Sequence, residues 1–323
     1  MTKRSAGWRQ LVGGAMLGLG LLVPVHAQTI TVGVVAKLSI QWPMWVALSK
    51  GMLDKAGVKV EVISVGGAAK GAQQLAAGAL DMVDGGLPDI VRAIDKGAPA
   101  RIIAYEVAVP PYSLMAKKDV KRLADLKGRK IMIGGSKDVT KIYLDALMAP
   151  TGLKDSDYDL VYAGATSARY AALASGAVDA AILTSPFEFK AQGEGYSMLG
   201  DVSKVLPDFP FTAWSVNTNW AAKNRATVTA FLSAWQKGTE WLYQPANRAE
   251  AIDILIKAIG SNPEDTAKTY DYMVRDLRAF RRDVKIPAES FQKLLTALIT
   301  TGDLEKQGNP GRFIDASFAG AVR

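Results

Sequence analysis

Asp81 and Asp179 are the two carboxylates whose placement invites chemistry. They stand 98 positions apart, each just after a glycine, Gly78 or Gly176, that stops a helical run. Carboxylates that share a site can do general acid–base work. The rest of a catalytic vocabulary is thin. The chain has no cysteine and a single histidine, His26, which falls at the end of a stretch that reads as a removable leader. Beyond it there is no imidazole and no thiol. Thiolate nucleophiles, histidine bases, Ser-His-Asp triads and Cys/His zinc sites are excluded. No Gly-Lys-Ser/Thr follows a glycine turn, so no phosphate-cradling P-loop is present. Asp81 and Asp179 themselves read as turn residues. No catalytic residue, metal ligand or cofactor is expected. The chemistry that remains is recognition, by hydroxyls, amides, aromatic faces and helix starts.

The leader opens with Lys3, Arg4 and Arg9, continues as an apolar run from Leu11 to Val25, and closes on Val25-His26-Ala27. A basic start, a short apolar core and a small residue before the cut make a secretory signal peptide over residues 1–27, cleaved after Ala27. The run is shorter than the ~20 residues a membrane helix needs. The expected location is the periplasm. The formal charge of +8 falls by three when the leader's cations leave. The remaining Lys and Arg are spread out, so nucleic acid is not an expected partner.

The elements that would position a site are written twice. Residues 66–88 read GGAAKGAQQLAAGALDMVDGGLP, and residues 164–186 read GATSARYAALASGAVDAAILTSP. The two align without a gap, Gly66 on Gly164, Leu75 on Leu173, Gly78 on Gly176, Asp81 on Asp179 and Pro88 on Pro186. Two similar supersecondary units imply two lobes, and small ligands bind in the crevice between lobes.

Strand and helix signals alternate, which predicts an α/β fold. In the first lobe the strands are Thr29–Val35, Val58–Val65, Leu80–Val83 and Arg101–Val109. Helices are expected from Pro43 to Leu53, over Ala68–Ala77 and from Pro88. In the second lobe a short helix is expected over Lys121–Leu126, strands over Lys130–Ile133, Asp159–Tyr162, Val178–Leu183 and Tyr196–Leu199, and helices over Asp138–Met148, Ser167–Ala174 and from Pro186. Phe211–Val216 reads as a last strand. Helices over Asn224–Tyr243, Ala246–Ile259, Pro263–Val274 and Pro287–Thr300 then form a tail. The tail is expected to return to the first lobe. The lobes are then 28–111 with 212–323, and 112–211, joined by two crossings that make a hinge.

The motifs Trp42–Leu53 (WPMWVALSKGML), Ala56–Val62 (AGVKVEV), Gly66–Ala69 (GGAA) and Leu75–Asp81 (LAAGALD) resemble the periplasmic solute-binding proteins of ABC importers. The group is the one that binds nitrate, sulfonates and taurine, and it includes binders of thiamin-precursor pyrimidines. The resemblance implies a type II periplasmic-binding-protein fold: two lobes, each a mixed sheet flanked by helices, closing on a small-molecule ligand. It implies a membrane permease as partner, a monomer and no enzymatic activity. A fungal pyrimidine synthase of related sequence depends on histidine and a cysteine-rich motif, which this chain lacks beyond its leader. The first loop departs from the commoner pattern, with Gln41-Trp42 before Pro43 and Trp45 where tyrosine is common.

Carried over residue by residue, the resemblance implies cleft-facing loops at Lys37–Trp42, at Gly67 and Ala68, at Gly86–Asp89, at Ser136–Thr140, at Ala165–Thr166 and at Thr184–Phe187, with Trp214 near the return crossing. Helix starts near Ala68, Pro88, Asp138 and Ser167 would offer free amides to an anion. Gly66-Gly67 and Gly134-Gly135 read equally as tight turns. Ser39, Gln41, Thr140, Thr166 and Ser185 would give direction to the ligand, Thr166 reading also as a helix cap. Trp42, Phe187 and Trp214 would supply flat walls, while Trp45 and Phe189 read as core. Asp89 and Ser136 complete the candidate set. Lys37 reads either as a counter-charge at the cleft mouth or as a surface lysine. The ligand expected is a small organic anion, with a pyrimidine as the alternative.

Overall fold

The computed structural model describes Thr2, residues 28–305 and residues 309–322. Apart from Thr2, the expected leader and its cleavage site lie outside the described residues. Strands β1 (Gln28–Val34), β2 (Val58–Ser64), β3 (Met82–Gly86) and β4 (Ala100–Val107) begin one sheet; β5 (Tyr112–Ala116), β6 (Lys130–Ile133), β7 (Asp159–Tyr162), β8 (Ala180–Thr184) and β9 (Ser197–Asp201) make a second; β10 (Thr212–Asn217) returns to the first. The orders are β2-β1-β3-β10-β4 and β7-β6-β8-β5-β9. β10 is antiparallel to β3 and β4, and β5 is antiparallel to β8 and β9; the other pairs are parallel. The two sheets therefore repeat one plan. In each, the strand that follows a crossing inserts in reverse beside the repeat's last strand.

The helices are α1 (Trp42–Ser49), α2 (Met52–Lys55), α3 (Ala68–Ala76), α4 (Leu87–Asp95), α5 (Val139–Met148), α6 (Thr166–Ala174), α7 (Phe187–Gly193), α8 (Val202–Val205), α9 (Thr218–Ala221), α10 (Arg225–Leu242), α11 (Arg248–Ile259), α12 (Pro263–Tyr270) and α13 (Ala288–Thr300). The architecture is mixed α/β, two five-stranded sheets flanked by helices. The repeat aspartates do one job twice. Asp81 accepts from the Thr31 amide at 2.8 Å, and Asp179 from the Lys130 amide at 3.0 Å. Each ties the turn after its helix to the neighbouring strand, and Lys117 adds an ion pair to Asp179 at 2.9 Å.

Several elements differ from the sequence reading. The helix from Pro43 breaks after Ser49, because Gly51 adopts a left-handed φ of 63°. β3 extends through Gly85 and Gly86, which an apolar-run criterion misses, because β10 pairs with both. Lys121–Leu126 yields only a 3-10 turn at Leu123–Leu126, closed by Asp125 accepting from the Lys121 and Arg122 amides. The helix from Pro263 widens into a π-turn at Asp271–Asp276. The tail packs mainly on the first sheet's side: α10 and α11 lie on α1, and Phe313 and Asp315 hydrogen-bond Ile102 of β4. It also touches the other half, where the Tyr272 hydroxyl donates to Asp201 at 2.9 Å. Buried apolar side chains run continuously from one sheet to the other, with Leu38, Tyr112, Val139 and Phe211 at the junction. The halves are closed on each other.

Candidate functional site

Between the sheets lies a cavity of about 40 Å³, room for a few waters. Its position follows from topology. Parallel strands leave their C-terminal ends and the following helix starts at one edge, and ligands of open α/β sheets bind there. The first half contributes Ala36 beyond β1, Gln41 from the turn before α1, Ala68 at the start of α3, Asp84 to Gly86 at the end of β3, and Thr212 opening β10. The second half contributes Tyr112 opening β5, Asp138 to Thr140 at the start of α5, and Gly164, Thr166 and Arg169 around the start of α6.

The helix starts are not equivalent. Asp138 caps α5, accepting from the Thr140 amide at 2.9 Å and its hydroxyl at 2.6 Å, while that hydroxyl accepts from the Gly134 amide at 2.7 Å. Thr140 thus lines the cavity with its hydroxyl already committed. α3 and α6, the repeat's two equivalent helices, have no side-chain cap. Their first amides are the free donors of the site. The Thr166 hydroxyl accepts from the Thr184 amide at 3.3 Å and keeps its own proton to donate.

Two charged groups that sequence reasoning missed dominate the site. Arg169 is buried, and its guanidinium donates to the carbonyls of Ile182 at 2.7 Å, Ala163 at 2.9 Å and Gly164 at 2.8 Å. Asp84 is buried at the other side, where Gln41 donates to it. Behind Asp84 lies Glu106, which sits where the β4–β10 register slips: Thr212 pairs with Val107 and Ala213 with Tyr105, leaving Glu106 as the bulged residue. Thr212 donates to Glu106 at 3.4 Å. The two carboxyls are within hydrogen-bond reach of each other, and Asp84 Oδ1 and Glu106 Oε1 are otherwise without partners. Burial, and then the neighbouring Asp84 charge, push the Glu106 carboxyl well above the usual range. Burial also raises Asp84, against the hydrogen bonds from Glu106, Gln41 and Thr212.

Of the twelve sequence-derived candidates, Gln41, Ala68, Thr140 and Thr166 line the cavity. Gly67 stands beside it as the N-cap of α3. The aromatic walls are corrected. Trp42 is the first residue of α1 rather than a loop residue; it is fully buried, donates to the Ala251 carbonyl at 3.0 Å and meets Tyr270 edge-on at 5.7 Å. Trp214 lies inside β10 under α10, edge-on to Phe231 at 4.9 Å. Phe187 packs on Tyr170 at 5.4 Å, away from the cavity. Ser39 and Ser185 face each other instead of a ligand: the Ser39 hydroxyl donates to the Ser185 carbonyl at 2.7 Å, and the Ser185 hydroxyl donates to Glu188. Ser136 is exposed on its loop, and so is Lys37. Asp89 pairs with Arg92 at 3.1 Å in a separate concavity, where burial raises its carboxyl to about 6 against the Arg92 charge. Among the described residues no three His, Cys, Asp or Glu gather as a metal site, and no helix is long and apolar enough to cross a membrane.

With this geometry in view, comparison with known proteins is informative. A family model described as NMT1/THI5 like matches residues 41–249. A protein described in Haemophilus influenzae as a thiamine biosynthesis protein is 27% identical over 211 residues, 63% of this chain and 65% of that one. A formylaminopyrimidine-binding protein of Halalkalibacterium halodurans is 25% identical over 220 residues, 66% and 65% of the two chains. The match thus spans about 65% of these curated relatives. Among solved structures, the zinc-bound ligand-binding component of an ABC-type import system from Staphylococcus aureus superimposes with a TM-score of 0.77 at 14% identity, covering 92% of this chain and 99% of that one. The alkanesulfonate-binding protein SsuA of Xanthomonas axonopodis pv. citri, bound to MOPS, gives 0.71 at 18%, covering 91% and 98%. The desulfurization enzyme DSZB gives 0.65 at 15%, covering 91% and 98%. At these identities the structures establish a shared fold, that of periplasmic solute-binding proteins. The family match covers well over half of the sequence, and the chain belongs to the NMT1/THI5 like family.

Proposed function

We propose that the chain is the substrate-binding component of an ABC importer, working in the periplasm as a monomer and handing a small solute to a membrane permease. On this reading its lobes are residues 28–111 with 212–323, and 112–211, hinged at the two crossings. The observation that carries it is the cavity closed between the strand ends of two like-built sheets, with uncapped starts of α3 and α6 facing it from opposite sides. A ligand touching both halves favours the closed form through contacts the open form lacks. Free amides and the Arg169 charge suit an organic anion such as a sulfonate, nitrate, a taurine-like zwitterion or an aromatic carboxylate. A pyrimidine is the second reading, favoured by the acceptor Asp84 and by similarity to a formylaminopyrimidine-binding relative.

Catalysis finds little support: residues 28–323 contain no histidine or cysteine, and the hydroxyl of Thr140 is bound within its cap. The test is a melting-temperature screen of the purified chain with nitrate, methanesulfonate, taurine, benzoate and formylaminopyrimidine. A true ligand at a hundred times its dissociation constant adds about 2.7 kcal/mol. No shift with any compound, or turnover of a bound one, would overturn the proposal.

A further inference from the structure

We propose that Asp84, lying against Glu106 on the buried floor of the cavity, decides between the two ligand readings in favour of the second: it selects a solute presenting an N–H donor, neutral or cationic, over one whose polar end is an anion, even with the Arg169 charge across the cavity. This rests on the reading of the inter-sheet cavity as the ligand site. An ionised carboxylate offers about four acceptor positions. Gln41 donates to Oδ2 of Asp84, Oδ1 has no donor other than the Glu106 carboxyl within its reach, and Asp84 lines the cavity, so acceptor positions are left for a guest. Both carboxyls are essentially inaccessible to solvent, at 2% and 0% exposure, so the residual charge is not dispersed by water. An anion brought to the same floor would need the pair to take up a second proton.

The groups facing the pair leave its charge in excess. Gln41 and Thr212 are neutral donors, and the Trp235 indole is neutral. Across the cavity stand one cation and one carboxylate, Arg169 and Asp138, whose charges offset each other. Glu106 is the device that makes the arrangement tenable. Two ionised carboxylates at this separation in a dry site would repel strongly. With one shared proton the floor carries one negative charge rather than two.

The test has one arm that needs no ligand. Infrared difference spectra of the ligand-free chain at pH 7, wild type minus Glu106→Gln in a Glu188→Gln background, should show a protonated-carboxyl C=O band lost with Glu106. No such difference band overturns the shared proton, whatever the cleft binds. The second arm is calorimetric titration with formylaminopyrimidine and with methanesulfonate from pH 5 to pH 8. The pyrimidine should bind at least about tenfold more tightly, and its affinity should fall as the pH drops and Asp84 protonates. Asp84→Asn, close to isosteric, should lose that tenfold for the pyrimidine and lose none for methanesulfonate. Tighter binding of methanesulfonate by the wild type, a pyrimidine affinity unmoved by Asp84→Asn, or no binding of either probe overturns the selection. The last result with the infrared band present would indict the cleft reading and leave the proton pair standing.

Discussion

Gly66 and Gly164 occupy the same position in the two copies of the repeat, and they meet across the cleft: a Cβ on Gly164 would lie 2.6 Å from the Gly66 carbonyl oxygen and 3.0 Å from Gly67 Cα. The internal symmetry of the sequence thus becomes a contact. The two equivalent turns meet with no room for a methyl group between them. Gly66 has a φ of 77°, so its own glycine is needed for backbone conformation. Gly164 lies outside the left-handed region, so its glycine answers only to the neighbour.

Gly164→Ala should therefore leave the second half folded and hold the halves apart. Overpacking of this kind costs roughly 1–3 kcal/mol, and here that cost falls only on the closed form. Small-angle scattering should report a larger radius of gyration for the variant, and affinity for any cleft ligand should fall by about tenfold or more. A radius identical to the wild type would show that the turns yield without opening.

A second bridge is ionic. Lys137, on the loop before α5, lies 3.0 Å from Asp303 in the tail, which also pairs with Arg92 at 3.1 Å; Arg92 in turn donates to the Lys137 carbonyl. Lys137 is largely exposed, at 70% of its side chain, so its pair contributes little by itself. Asp303 is the buried member. Asp303→Asn should loosen closure and remove its salt dependence, which falls off over a Debye length of about 8 Å at physiological ionic strength. The check is scattering at low and high salt, where the wild type should expand slightly on adding salt and the variant should show no salt response.

How much of this was legible in the sequence depends on the repeat. The echo at 66–88 and 164–186 located both uncapped helix starts, and it paired Asp81 with Asp179, whose roles proved identical. The residues it missed stand where the copies disagree. Arg169 replaces Gly71 of the first copy, and Asp84 corresponds to Ile182 of the second. A difference between copies at a strand end was the signal available for both. Glu106 had none, since a bulge arises from pairing with β10, a strand more than a hundred residues away. The tryptophans misled for a local reason. A shift of one residue in where α1 begins turns Trp42 from a loop side chain into a buried helix residue.

Glu188 gives a pH-dependent prediction. It is buried, accepts from the Ser185 hydroxyl, and leaves Oε2 without a partner. Burial raises its carboxyl to about 8 from an ordinary 4.5. A raised acid binds its proton more tightly when folded, so its contribution is complete below about pH 4.5 and is lost as the pH climbs to about 8. The full span is worth roughly 5 kcal/mol. Glu188→Gln keeps the shape and removes the titration. Its melting temperature should fall less than that of the wild type between pH 5 and pH 8, and at pH 8 it should be the higher by about 5 °C or more. Parallel profiles for the two proteins would show that Glu188 is charged and solvated in the folded chain.

Arg169 carries the last prediction, because it links the stability of the second half to the shape of the cleft. Its guanidinium satisfies the carbonyls of Ile182, Ala163 and Gly164 at once, and so fixes the turn that presents Gly164 to Gly66. A lysine would keep the charge but lacks the planar fork, and its single ammonium cannot take the place of donors that leave the guanidinium in different directions. At least one buried carbonyl would then lose its partner, at about 1–3 kcal/mol each. Arg169→Lys should lower unfolding stability by roughly 2–4 kcal/mol in urea. It should also speed hydrogen exchange at the amides of residues 163–166 ahead of global unfolding, because the turn loses its clamp while β8 stays paired with β5 and β6. A stability loss with no local change in exchange would mean that Arg169 only fills the core, and that the cleft edge is held by something else.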